Sequence, residues 1–590
     1  MNLTIFLKQI EQLTAACNKE QLAAFIYDTG RTLPEQEREK FLERLKSRNN
    51  PKASRPDSQR EPETSRRLEE QCEQLLDELN KIYEEDLNLV AVLNEEYDDW
   101  YDNGEEFYYQ DPHNICCRIE KACNFVHRCV DEEAYLQGMQ IGNYLYFMQI
   151  FAENEYYDTD ELELEDLIQN ELVFYDLRQL ALDTLYCSYH ALPLPKRTES
   201  LYETMKRNLK YGATLEALMQ HGDKELPEWH PFLKAWIAYL GTQVGKAADF
   251  LLAEAIGLLN DLPTECSYAE QYMDKHPDLY LQILEAESST DAADLVKIGL
   301  TAIQSIPKKY SVRSAVALKT AGYGLNANAE PDLLAQCYFA AYESDTNVTN
   351  YLRALLHGFD SVEKRDQLKH VIVGLAPETR NRNGNYNDTD MHLEKKENHP
   401  SGTTTAALYF FEGQFAEVLS KQLNAKEALG WSGTFMKQGI ALFLLYLYAG
   451  NWNGKGIQAM AKIAKERIGF SMQNYQKGIP KLEVEDEAAL FENIMLRWKE
   501  MTPMDPETKS LAIQKIENLL EKRVSGIMDA NRRNYYGECA SFLAALGEVK
   551  ESLGEAYAKQ NLMTSYKEKY PRRTSFRAEM KAFGWIDRKK

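Results

Sequence analysis

Beyond residue 67, apolar residues recur at helical spacing along almost the whole chain, and the polar breaks between periodic stretches are short. An i, i+3, i+4 rhythm puts one apolar stripe on each segment, and such a stripe is buried only against a neighbouring element. Residues 69–93 carry it through Cys72, Leu75, Leu76, Leu79 and Ile82. The same rhythm predicts helices over 114–151, 161–192, 198–220, 230–259, 265–286, 291–305, 309–326, 331–343, 346–358 and 361–375. It continues over 404–424, 432–449, 455–469, 486–501, 506–528, 531–550, 553–569 and 574–583. Pro193, Pro195, Pro227, Pro263, Pro277, Pro307 and Pro331 punctuate the segments, as expected of a residue that lacks an N–H. No run alternates as a strand does, and Asn383-Gly384 lies in a polar break rather than in a hairpin.

The expected fold is all-α: an α-solenoid of antiparallel helix pairs, each burying its face against the next. Residues 406–423, AALYFFEGQFAEVLSKQL, resemble the tetratricopeptide consensus through Tyr409, Gly413 and Phe415. No strict period of about 34 residues runs through the chain, so the repeats are read as divergent. Ahead of them, residues 1–45 read as a small N-terminal helical bundle. Asn18 and Gly30 bound its second helix, and Thr32 with Glu35 forms a capping box for the third. Residues 46–66 hold one apolar residue, Ala53, so 46–67 is expected to be a flexible charged linker. The rest divides into an acidic helical-repeat domain (68–376), a polar loop (377–403) and a C-terminal helical-repeat domain with a basic tail (404–590).

The formal net charge of −24 is not evenly spread. Residues 68–176 contain 30 acidic and 4 basic residues, a net of −26, which leaves +2 for everything else. The last 32 residues, 559–590, carry a net of +7. A phosphate backbone rewards a basic surface, so binding of nucleic acid through net charge is disfavoured. The acidic segment instead suits steering of a basic protein or peptide partner. Glu95, Glu96, Asp98 and Asp99 are its candidate contact residues.

Targeting signals are weak. Lys8 and Glu11 interrupt the apolar start of the chain, so no secretory core of useful length forms. The longest apolar run, Gly439 to Gly450, is shorter than the roughly 20 residues a bilayer needs, and it reads as a buried core helix. Ten cysteines spread over so long a chain, most of them in helical patterns, suit buried thiols in a reducing cytoplasm.

Familiar chemistry is sparse. Gly450-Asn-Trp-Asn-Gly454-Lys455-Gly456 has the flavour of a phosphate loop but is one residue short and ends in Gly where Ser or Thr should hold magnesium. Asp158, Asp160, Glu161 and Glu163 lack the glycine and glutamate that a calcium loop needs. Cys116, Cys123 and His127 fall on a similar helical face, so they are weak candidate metal ligands. Cys187 and His190 offer a thiol and a base three residues apart, and His221 and His230 flank a polar loop. Arg532, Arg533, Tyr535 and Tyr536 interleave basic and aromatic side chains, a pattern that serves peptide contact or base stacking.

Three stretches, residues 295–318, 429–448 and 532–580, resemble the helical-repeat region of bacterial SWIM zinc-finger proteins and their uncharacterised relatives, a likeness that covers residues 110–590. The finger itself needs C-x-C and C-x-H pairs; neither occurs here, so neither the zinc site nor the finger's binding role carries over. The resemblance implies a helical scaffold. The expected function is therefore a non-enzymatic protein–protein interaction scaffold or regulatory protein of a bacterial cytoplasm, with a basic protein or peptide as partner, no membrane and no cofactor. The alternative is a nucleic-acid-associated regulator acting through the basic C-terminal face. A third reading is an enzyme or metal protein with an unrecognised helical site.

Overall fold

The computed structural model describes residues 61–84, 87–93, 107–153, 159–286, 290–358, 362–373, 392–393, 396–424, 428–484 and 486–587. The expected N-terminal bundle, the loop residues 374–391 and the cluster Glu95, Glu96, Asp98 and Asp99 lie outside the described residues. The chain divides into two units, Met1–Glu78 and Leu79–Lys590. The division falls within α1 (Glu61–Tyr83), so residues 61–67, expected to be linker, form its first turns. Pro62 is tolerated there because the first helical N–H groups have no intrahelical acceptor.

Helices dominate, as the periodicity predicts; twenty-six α-helices occur among the described residues. After α1 come α2 (Ile115–Asp131), α3 (Tyr135–Phe147), α4 (Leu164–Gln169), α5 (Leu177–Ala191), α6 (Leu194–Asn208), α7 (Leu215–Met219), α8 (Trp229–Leu240) and α9 (Lys246–Gly257). Then follow α10 (Leu262–Tyr272), α11 (Leu279–Ala286), α12 (Ala292–Ser305), α13 (Val312–Asn326), α14 (Pro331–Ser344), α15 (Val348–His357) and α16 (Val362–Val373). The C-terminal part holds α17 (Gly402–Phe411), α18 (Phe415–Glu417), α19 (Met436–Leu447), α20 (Lys455–Ile468), α21 (Met472–Tyr475), α22 (Glu487–Met501), α23 (Pro506–Asp529), α24 (Tyr536–Ser552), α25 (Ala558–Lys569) and α26 (Thr574–Ala582).

Several neighbouring helices run antiparallel and meet through small residues. On α3, a Cβ at Gly138 or Gly142 would collide with Cys187 or Thr184 of α5. On α12, Gly299 faces Thr320 of α13, and Arg313 at the start of α13 donates to the Ile303 carbonyl at the end of α12. Arg313 also reaches Ala340 and Ser344 at the far end of α14. In the C-terminal part the neighbours are not successive: α20 packs on α24 across three intervening helices. The 406–423 segment does not form a pair of regular helices. After Gly413, at φ +82°, the chain makes the one-turn α18 and then a π-helical stretch, Val418–Gln422.

Four strands among the described residues correct the expectation that none is present. β1 (Leu89–Leu93) pairs antiparallel with β2 (Phe107–Gln110) and parallel with β3 (Ile150–Glu153), and β3 pairs antiparallel with β4 (Thr159–Leu162). The sheet order is β2-β1-β3-β4, with α2 and α3 in the connection between the parallel strands. LVAVL and the first three residues of IFAE are short continuous apolar runs, and such runs cannot be told from helix by period. The 114–151 segment, expected as one helix, is thus two helices and the start of a strand.

A large apolar cluster spans α13 to α24. Its centre is an aromatic knot in which Phe410, Phe411, Phe415 and Tyr446 all pack against Trp498 within 6.3 Å between ring centres. The Gly439–Gly450 run forms the buried α19 in this core, as expected. Among the described residues no helix is long and apolar enough to cross a membrane.

Candidate functional site

A groove of about 760 Å³ runs along α13. Its floor is the face carrying Ser311, Ala315, Leu318, Gly322 and Asn326. This face follows from sequence, because steps of three and four residues align on one side of a helix. Gly322 leaves the floor open: a Cβ built there meets nothing within 4 Å. One wall is α11 with its approach, through Asp278, Leu281 and Glu285. Tyr323 ties that wall to the floor by donating to the Leu284 carbonyl. The opposite wall is α21 and the turn after it, through Asn474, Lys477 and Gly478. Gly478, at φ +71°, lies against α13 so closely that a Cβ would sit 2.6 Å from the Leu318 oxygen. Only a glycine accommodates both that approach and that φ.

At one end of the groove three polar residues are stacked in depth. Asp345 follows α14, and Asn350 lies in the first turn of α15, whose start is capped by Asn347 through the Asn350 amide at 2.9 Å. The Asn350 side chain donates 3.1 Å to the Asp345 carboxylate and 3.4 Å to Ser314 Oγ on α13. Its oxygen accepts from Arg353, which is completely buried. Arg353 spends its other donors on the Asn474 and Tyr475 carbonyls. Burial lowers the Arg353 pKa to about 10 and raises that of Asp345, which makes no ion pair with any described residue. Asn350 therefore stands between a buried cation and a carboxylate that opens on the groove.

One to two turns further along α13 the charge reverses. Lys319 is half-buried, with its Nζ 5.7 Å from the Tyr323 ring centre, and Lys477 is exposed. Neither pairs with a carboxylate of any described residue, nor does Glu285 pair with a cation. Unpaired charges of both signs in one groove are free to meet a ligand.

The end of the 377–403 segment is a tie across this region. Lys396 accepts from the Ser311 N–H at 2.9 Å, and Tyr310 and Glu397 form a β-bridge. Lys396 Nζ donates to Asp278 at the groove wall and, at 2.7 Å, to Asp249 on α9. Asp249 also meets His276 at 2.7 Å and His392 at 3.0 Å. Burial alone would raise Asp249, but the hydrogen bonds from His276 and Lys396 dominate and bring it down to about 2. Asn398 completes the tie by bonding Thr346 and the Glu343 carbonyl.

The residues singled out from the sequence do not converge. Cys116 and Cys123 are buried, and burial pushes each thiol up to about 12. His127 is half-exposed and its Nδ1 sits 3.1 Å from the fully buried Asp183, so the shared helical face does not become a ligand set. Among the described residues no three His, Cys, Asp or Glu side chains gather around a point that could hold a metal. His221 also bonds Asp183, at 2.8 Å, whereas His190 stacks on Tyr135 and Cys187 is buried against α3. Glu163 caps α4 in a capping box with Asp166 instead of joining Asp160 at a cation. Tyr536 is buried against Phe576, and Tyr535 is covered by Arg523 and Lys437, so neither ring stacks freely; Arg532 and Arg533 are exposed. The glycine run Gly450–Gly456 does open a helix, but its amides receive the carboxylate of Glu548.

Sequence reasoning missed Asp345, Asn350, Lys319 and Lys477. The only local signal is the run Ser-Asp-Thr-Asn at 344–347, which reads as a helix start. Compared with protein-family models, curated proteins and solved structures, the chain matches none.

Proposed function

We propose that this chain is a non-enzymatic binding scaffold that holds an extended segment of a protein partner in the groove along α13. The observation that carries the reading is the groove itself, a 760 Å³ space whose lining includes unpaired charges of both signs. Its floor, the 15 residues of α13, is about 22 Å long, which matches six or seven residues of extended chain. The lining includes neither Cys nor His, the side chains most used for nucleophilic and general acid–base work. The net charge of −26 over 68–176 provides a long-range field for a basic partner. Free thiols at nine described cysteines suit a bacterial cytoplasm. The resemblance of 295–318, 429–448 and 532–580 to a SWIM-associated helical region also favours a scaffold.

The test is site-specific photocrosslinking in native lysate. A photoreactive residue at Asn326, in the groove, is compared with one at Lys297, on α12 and outside the lining. A partner crosslinked from Asn326, and lost when Gly322→Leu fills the floor, is the expected result. Equal adducts from both positions, unaffected by Gly322→Leu, would refute the groove as receptor.

A further inference from the structure

The groove is polarised, and its polarity specifies what end of a chain it takes. At the Ser314 end lies the Asp345 carboxylate, held by Asn350 at 3.1 Å and without a salt bridge to any described residue. The guanidinium that could have neutralised it, Arg353, is turned onto carbonyl oxygens. Asp278 at the same end is already paired with Lys396. At this end, among the described residues, Asp345 is thus the carboxylate that has amide donors and a distant guanidinium but no salt bridge, and a half-buried carboxylate of this kind gains most from a ligand cation with several N–H donors. The two lysines lie further along the helix. Lys319 is five residues beyond Ser314, and the contact of Gly478 with Leu318 places Lys477 beside the same turn. The axial distance from the carboxylate to the lysines is therefore about 6–8 Å at roughly 1.5 Å per residue. Extended chain advances about 3.3 Å per residue, so a group at the first backbone nitrogen and a side chain on the third residue span that distance.

Building on the groove as receptor, we propose that it binds a free amino terminus of a partner protein, with the α-ammonium on Asp345 and an acidic side chain at the third residue between Lys319 and Lys477. An internal segment lacks the ammonium and would leave the Asp345 carboxylate unanswered. A basic side chain at the third position would meet two lysines.

The test uses synthetic hexapeptides labelled at the carboxyl end and read by fluorescence anisotropy against the full chain. The probe is Ala-Ala-Glu-Ala-Ala-Ala with a free amino end; the controls are its N-acetylated form and a form with Gln in place of Glu. Each control is expected to bind at least about tenfold more weakly, the worth of one charge-assisted contact. On the protein side, Asp345→Asn should abolish the effect of acetylation, and Lys319→Gln with Lys477→Gln should abolish the preference for Glu over Gln. The peptide controls need no altered protein, so a variant that folds poorly does not blunt the test. Equal affinity of the free and acetylated peptides overturns the proposal. So does binding of none of the three; if groove-dependent crosslinking at Asn326 persists in that case, the groove remains the receptor and only the assigned chain end is wrong. Loss of both the peptide and the groove-dependent crosslinks overturns the receptor as well.

Discussion

The carboxylate of Glu548 lies 2.8 Å from the backbone N–H of Ile457, at the first turn of α20. It accepts from Gly456 N–H as well, at 3.2 Å, and from Lys559 Nζ at 2.6 Å. A helix start is an anion site because its first N–H groups lack acceptors and the dipole favours negative charge. Here the anion is supplied by α24 of the same chain. A glycine-rich run that suggests phosphate in the sequence is a helix-to-helix joint in the fold.

Glu548→Ala is expected to lower stability by about 1–3 kcal/mol, because two buried donors lose their acceptor. Gly456→Ala should destabilise the same joint by contact, since a Cβ would lie 2.3 Å from the Ala545 nitrogen. Urea unfolding followed by circular dichroism checks both; an unchanged midpoint for either would contradict the joint.

Asp249→Asn is expected to cost about 3 kcal/mol at neutral pH, near the low end for a broken buried pair, because Lys396 keeps Asp278. The native Asp249 pKa is lowered to about 2, so the native state releases that proton more readily than the unfolded chain. Its contribution is complete above the unfolded value near 3.9 and is lost as the pH falls through 2. The gap between wild type and variant in thermal midpoint should therefore be constant from pH 7 to 5 and narrow below 4. A gap that widens in acid would contradict the assignment.

Glu412 shows the opposite linkage. It is buried at 6% exposure with one oxygen lacking a partner, and burial raises its pKa to about 8 despite a hydrogen bond from Gln414. A raised acid pKa means that the native state holds the proton more tightly than the unfolded chain. The stability this gives is fully present below the unfolded value of about 4.3 and disappears as the pH rises through 8. Glu412→Gln should match wild type near pH 4.5 and exceed it by on the order of 1–3 kcal/mol at pH 9. Thermal melts at the two pH values decide; a variant less stable at pH 9 would refute an ionisation penalty.

Trp498→Ala is expected to cost about 3–5 kcal/mol, the range for emptying a large aromatic site. The indole also donates 2.8 Å to the Phe411 carbonyl, which in the variant keeps only the Tyr351 hydroxyl at 3.2 Å. A loss below about 1 kcal/mol in urea titration would mean that the aromatic knot closes over the hole.

Some of this was legible locally. The run Gly439–Gly450 announces a buried helix because every position is apolar or small, and α19 is that helix. Strands β1 and β3 escaped because runs of five and three apolar residues have no period to read. The pair Cys123 and His127 shares a helical face on paper, yet Cys123 is buried and His127 turns to Asp183, 56 residues away. The groove was not legible at all. Asp278, Lys319, Asp345 and Lys477 are charges of ordinary type in ordinary helical contexts.

The sequence by itself determined which stretches are helical and where most of the acid lies, because apolar period, capping and charge composition act over a few residues. Only the tertiary structure decided which charges are answered and which are left open. A carboxylate's fate depends on burial and on cations brought from distant elements: Asp249 receives Lys396 from 147 residues away, and Asp345 receives no salt bridge from any described residue. The fold makes one of them a strut and the other the open end of a groove.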